Sequence, residues 1–190
     1  NISERLAYYA GFKKLKGFRH IVQAEPDENF LIRPDFCNGI SQLMNHQFTY
    51  DLLIFPRHLY YANALVEKFP SQPFVIDHLA KPDFKKEDYK EWEKGIRTIA
   101  RHKNVYCKIS GLVTEADWRN WRAQDFTYCL DVITASFGVD QLMFGSALPA
   151  WLLGGTYAEV TQIVQQYFSY FSLEDQAKIF GLNAIQFYKL

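Results

Sequence analysis

The chain has 190 residues, enough for one ordinary domain with a substantial core. Hydrophobic residues make up 48% and charged residues 22%, which excludes an intrinsically disordered chain. Lysine plus arginine equals aspartate plus glutamate at 21 each, so no net field favours a nucleic-acid or membrane partner.

Short β-branched or aromatic runs alternate with longer amphipathic stretches along the chain. Phe18–Gln23 reads as a first strand and ends before Glu25-Pro26-Asp27. Phe48–Phe55 reads as a second, running into Pro56-Arg57-His58. Phe74–Leu79 is a third, carrying Asp77-His78 and followed by Lys81-Pro82. In Asp88–Ile99 the residues Tyr89, Trp92, Ile96 and Ile99 form one stripe at helical spacing. Val105–Ser110 is a fourth strand and Gln141–Ser146 a fifth. Thr156 with Glu159 has capping-box spacing, and Ser172 with Asp175 is a looser version of it. Pro34, Pro56, Pro73, Pro82 and Pro149 fall near element ends, where a missing amide does least harm. No Gly/Ser linker divides the chain, so residues 1–190 read as a single domain.

The strand starts lie about 30 residues apart, the length of one βα unit, and several strands are apolar on both faces, as in a buried parallel sheet. That leaves an α/β fold, either an open doubly wound sheet or part of a closed barrel. Neither GxGxxG nor a P-loop is present. A full (β/α)₈ barrel takes about 250 residues, so eight units do not fit. An isolated arc of five strands leaves two strand edges open, which barrel closure normally removes.

Cys37, Cys107 and Cys129 have no paired spacing, so a reducing cytoplasm is expected rather than a disulfide framework or a zinc knuckle. No apolar run approaches the roughly 20 residues of a membrane span. No secretory signal opens the chain, which begins at Asn1 without a methionine.

In parallel α/β folds the reactive groups gather at the C-terminal ends of strands. His78 is the strongest candidate there: an imidazole can bind a metal, act as acid or base, or polarise a carbonyl, or else stay a structural histidine beneath a loop. Lys108 lies in an otherwise apolar strand, where a lysine needs a partner; it either meets an anionic substrate or pairs with Asp77 or Glu25. Ser110 shares a face with Lys108, but no GxSxG elbow surrounds it. Trp118 and Trp121 either cover a ligand or anchor a long loop.

The segments GFRHIVQAEPD (17–27), RPDF (33–36), TYDLLIFPRHL (49–59), FVIDHLAKP (74–82), NVYCKISGLVTEADW (104–118), FGVDQLMFGS (137–146) and IFGLNAIQFY (179–188) span nearly the whole chain. In that order and spacing the sequence resembles the amidohydrolase-2 group of TIM-barrel hydrolases, which includes L-fucono- and L-rhamnono-lactonases. The resemblance implies barrel strands four to eight, with the first three βα units and their His-x-His without a counterpart. It implies a catalytic role for His78, as a possible metal ligand, and substrate contacts at Gln23, Arg57 and Lys108, to which Trp118 is added as a candidate. It implies hydrolysis of a sugar-derived lactone or similar cyclic ester by an activated water, with or without a divalent metal, zinc being the favoured ion. Oligomeric state is not legible in the periodicity. One departure stands out. Where the family carries an Asp after the eighth strand, this chain reads Ala147-Leu148-Pro149-Ala150-Trp151. An alanine cannot take the water's proton, so the chain is expected to be inactive or impaired, or else a non-catalytic relative that binds a ligand or partner on the same face.

Overall fold

The computed structural model describes residues 1–86 and 88–190. Among the described residues, five parallel strands form one sheet in the order of the chain: β1 (Gly17–His20), β2 (Thr49–Leu52), β3 (Phe74–Ile76), β4 (Val105–Ile109) and β5 (Leu142–Phe144). Helices α1 (Ile2–Ala10), α2 (Pro34–Leu43), α3 (Leu59–Lys68), α4 (Lys90–Ile99), the short α5 (Leu112–Glu115), α6 (Thr127–Phe137), α7 (Tyr157–Tyr167), α8 (Leu173–Ala177) and α9 (Asn183–Tyr188) complete the βα alternation. The five strands are consecutive staves of a (β/α)₈-type barrel, β1 and β5 forming the edges of the sheet.

Alternation along each strand divides the residues between two faces. Tyr50, Leu52, Phe74, Ile76, Val105, Cys107, Ile109 and Leu142 pack with the helices in the main core. On α4 the expected stripe faces this core, with Trp92, Ile96 and Ile99 buried. Val75 and Met143 lie on the other face, in a smaller cluster with Tyr106 and with Phe187 and Tyr188 of α9. Arg19 and Asp51, and Lys108 and Met143, are register partners and therefore point to that same side in pairs.

The expected strands are longer than the observed ones, and the third differs for a physical reason. It stops at Ile76, because His78, Leu79, Ala80 and Lys81 all take left-handed backbone angles, with φ between 54° and 56°. A composition pattern cannot register that change of hand. The helix starts were legible. Thr156 Oγ1 accepts the Glu159 amide at 3.3 Å while the Glu159 carboxylate accepts the Thr156 amide at 2.7 Å. Ser172 Oγ likewise accepts the Asp175 amide at 3.1 Å. Thr156→Ala is expected to remove about 1 kcal/mol of stability, readable as a lower urea midpoint with unchanged slope.

Candidate active site

At the C-terminal ends of β1–β4 the charged residues form one chain of contacts on the face turned away from the main core. Lys108 on β4 is paired with Asp51 on β2 and lies 2.8 Å from Asp77 Oδ1, just past β3. Arg19 on β1 donates to Asp77 Oδ2 at 2.9 Å. From α9, the Tyr188 hydroxyl donates to Asp51 at 3.0 and 3.1 Å. Burial by itself would lower the Lys108 pKa, but the two carboxylates beside it raise it, so the ammonium stays charged. Asp77 is fully buried, which pushes its carboxyl up, yet Lys108 and Arg19 together hold it below the ordinary range. Asp51 has burial and the charge of Asp77 against it and stays raised, despite Lys108 and Tyr188. Lys108 thus pairs with Asp77, as one sequence reading had it, and with Asp51; Glu25 instead meets His20 Nε2 at 2.5 Å.

His78 sits directly above this network. Its Nδ1 lies 2.8 Å from Ser110 Oγ, at the end of β4. Burial holds the imidazole below its ordinary pKa, with the neighbouring Asp77 opposing, so the ring is neutral at pH 7. With Nδ1 engaged by the serine, Nε2 is the nitrogen left to act. The ring is also sterically fixed: a Cβ built on Gly111 would come within 2.9 Å of His78 Cβ, and Gly111 has φ +68°. Gly111→Ala is therefore expected to cost at least about 1 kcal/mol in backbone strain and to displace the imidazole, detected as a lower Tm together with a moved His78 ring resonance.

The left-handed stretch itself costs about 1–2 kcal/mol per non-glycine residue. It persists because its surroundings over-determine it. Leu79 and Ala80 are buried, the Trp92 indole donates to the Leu79 carbonyl at 2.6 Å, and the Lys81 amide donates to the His78 carbonyl at 2.7 Å. The Lys81 ammonium meets Glu115 at 2.9 Å.

The other sequence candidates make contacts of their own, separate from this chain of charges. The Gln23 side chain has a buried Oε1 without a hydrogen-bond partner among the described residues. Arg57 is half-exposed, stacked over Phe55 at 4.9 Å and 3.7 Å from Glu28. Both indoles anchor the loop, Trp121 donating to the Gly154 carbonyl and packing on Phe126 and Trp118 donating to the Thr114 carbonyl at 3.0 Å; Trp118 still keeps 46% of its surface exposed. Trp118 lines a cleft of about 630 Å³ with Lys85, Arg119 and Asn120. The fifth strand leads through Gly145, whose Cβ position would touch Ser110, to Ala147, which has φ +56°. Arg19 and Tyr188 were not legible as partners of the site. Arg19 left one signal, a long cation within a parallel strand; Tyr188, from the far end of the chain, left none.

Among the described residues, no group of three His, Cys, Asp or Glu side chains is placed to hold a metal ion. Asp51 and Asp77 are committed to cations, and position 147 offers no donor. A catalytic zinc site takes three protein ligands, so the residues of this chain do not by themselves fit one; His78 is a single donor. No helix among the described residues is long and apolar enough to cross a membrane.

The sequence pattern of the amidohydrolase family matches residues 1–190. An L-fucono-1,5-lactonase of Burkholderia multivorans is 37% identical over 200 residues, covering all of this chain and 67% of the lactonase. A second L-fucono-1,5-lactonase, from Burkholderia ambifaria, is 29% identical over 97% of this chain and 65% of its own length. The chain thus spans about two thirds of the length of these lactonases. The crystal structure of an amidohydrolase from Burkholderia multivorans with bound zinc superposes with a TM-score of 0.92 at 35% identity, over all of this chain and 71% of the other. With a whole-length sequence match, a relative above 30% identity and a superposable fold, the chain belongs to the amidohydrolase family.

Proposed function

We propose that residues 1–190 form the strand-four-to-eight part of a lactonase-type hydrolase domain, which opens a sugar-derived lactone or similar cyclic ester by attack of water. The similarity to two L-fucono-1,5-lactonases supports the substrate class. The observation that carries the chemistry is the His78 Nδ1 contact with Ser110 Oγ at 2.8 Å, which leaves Nε2 for the substrate, on a ring whose pKa burial lowers. In this reading His78 Nε2 orients or polarises the lactone carbonyl. Gln23, Arg57 and Trp118 are assigned to the sugar in the same reading: the amide and guanidinium would meet its hydroxyls, and the exposed indole would offer an apolar face to the ring carbons. Lys108, held between two carboxylates, fixes the floor and keeps the field around His78 constant.

Ala147 leaves the attacking water without a carboxylate on β5, so the chain with alanine there is impaired. A second reading follows from the same residue: a protein that has kept the fold and the ligand face but not the reaction. The two separate in the full-length protein by comparing it with its Ala147→Asp variant on a panel of sugar lactones, with and without added zinc. Hydrolysis that appears only with aspartate supports an impaired enzyme. Absence of hydrolysis in both forms, with lactone binding retained, supports the binding role. Three free, buried cysteines are in keeping with a reducing compartment such as the cytoplasm.

A further inference from the structure

We infer that Trp92, on α4 and outside the site, is a positioning residue for His78: its indole N–H holds the left-handed turn that aims the imidazole at the strand ends. An ordinary strand would carry His78 to the face opposite Asp77. Instead the backbone reverses hand at His78 and keeps it through Lys81, so that Asp77 reaches Lys108 while the next residue reaches Ser110. Such a stretch of four non-glycine residues relaxes unless its carbonyls and side chains are held from outside. At its end the Lys81 amide donates to the stretch's own His78 carbonyl, and the outside hold there is the Lys81–Glu115 ion pair. The hold in its middle is Trp92, fully buried, with its Nε1 2.6 Å from the Leu79 carbonyl. The Leu79 carbonyl belongs to the Leu79–Ala80 peptide, one residue beyond His78, so a loosened bond there frees the Leu79 backbone angles and, through them, the His78–Leu79 peptide that carries the ring. The remaining volume of the indole packs with Tyr89 and the core, a role that phenylalanine largely preserves.

The inference rests on His78 acting at the mouth of the site, but its readout is the imidazole and not the turnover. In the full-length protein labelled with ¹⁵N-histidine, the ring nitrogen shifts at one fixed pH report the His78 tautomer and its bond to Ser110; His78→Gln assigns them. Trp92→Phe is expected to move the His78 ring pattern in the same direction as Ser110→Ala. Adding Ala80→Gly to Trp92→Phe is expected to return it, because glycine takes a φ of about +56° without a Cβ clash. Ile96→Val, on the same buried stripe, is expected to lower Tm and leave the ring pattern in place. An unmoved pattern in Trp92→Phe, or an equal movement in Ile96→Val, would overturn the inference and reduce Trp92 to core packing. Should Trp92→Phe not fold, the parent protein decides: its Trp92 indole proton is expected to exchange as slowly as the Lys81 amide, and a freely exchanging indole refutes the hold. Lack of lactonase activity in every variant leaves these spectra readable, so failure of the hydrolase reading and failure of this inference are distinct results.

Discussion

Introducing aspartate at position 147 of the full-length protein is expected to raise the rate of lactone hydrolysis by about 10²–10⁴. That corresponds to about 3–5 kcal/mol off the barrier, the size of effect a well-placed general base supplies. The backbone at this position favours the exchange. Ala147 has φ +56°, a region where aspartate and asparagine are several-fold enriched over other residues with a Cβ. Aspartate should therefore be accommodated with no loss of Tm. Ala147→Asn makes the control: it shares the backbone preference and lacks the basic oxygen, so it should match aspartate in stability and show no gain in rate. An equal rate gain in the asparagine variant would point to loop geometry rather than proton transfer.

Removing the Lys108 ammonium is expected to produce the largest loss of stability. Lys108→Met retains the aliphatic packing but leaves Asp51 and Asp77 close together, with Arg19 as the remaining charged partner of Asp77. Breaking a buried pair from one side costs about 3–5 kcal/mol, and the partial exposure of this lysine places the expected value near about 3. For a chain of this size that is a fall of roughly 6–12 °C in Tm. The pH dependence should become one-sided as well. In the parent, Asp77 sits below its ordinary value of 3.8, so its contribution is present above that pH and is lost as pH falls through the lowered value. Asp51, raised in the parent, works in the opposite direction, its contribution declining as pH rises above 3.8. In Lys108→Met both carboxylates are driven upward by burial, so stability should decline as pH rises from about 4 toward neutrality. Melting curves from pH 4 to 8 check this directly. The double variant Asp51→Asn/Lys108→Met should recover a large part of the loss, because it removes the carboxylate left without a cation and its repulsion of Asp77.

The parts of the fold that were legible in the sequence are those with a periodic cause. The βα alternation, the buried stripe of α4 and the Thr156–Glu159 cap all follow from spacing and side-chain chemistry, and each is present in the structure. Features that depend on residues far apart were not legible. Nothing local in Thr49–Leu59 announces that Asp51 will meet Lys108 and Tyr188, because those contacts exist only once strands are set in register and α9 has returned to the sheet. The turn after β3 was hidden for a different reason. His-Leu-Ala-Lys contains no glycine or asparagine to advertise a left-handed backbone, and it is the tertiary environment that imposes it. The place of His78, by contrast, was legible, at the C-terminal end of a parallel strand where such folds gather their chemistry, although position alone left a structural histidine equally open.

The strand order carries a kinetic consequence. Every strand pairs with the one that follows it along the chain, across a connection of about 30 residues, and no strand is inserted between two earlier ones. Each pairing therefore closes a loop of similar length on a neighbour already made, which keeps the entropic toll of each step nearly constant. Such a sheet can grow one stave at a time as the polypeptide emerges from the ribosome, without waiting for a distant segment. The Tyr188–Asp51 contacts would then be the last to form, so the site is completed only when the C-terminal helix docks.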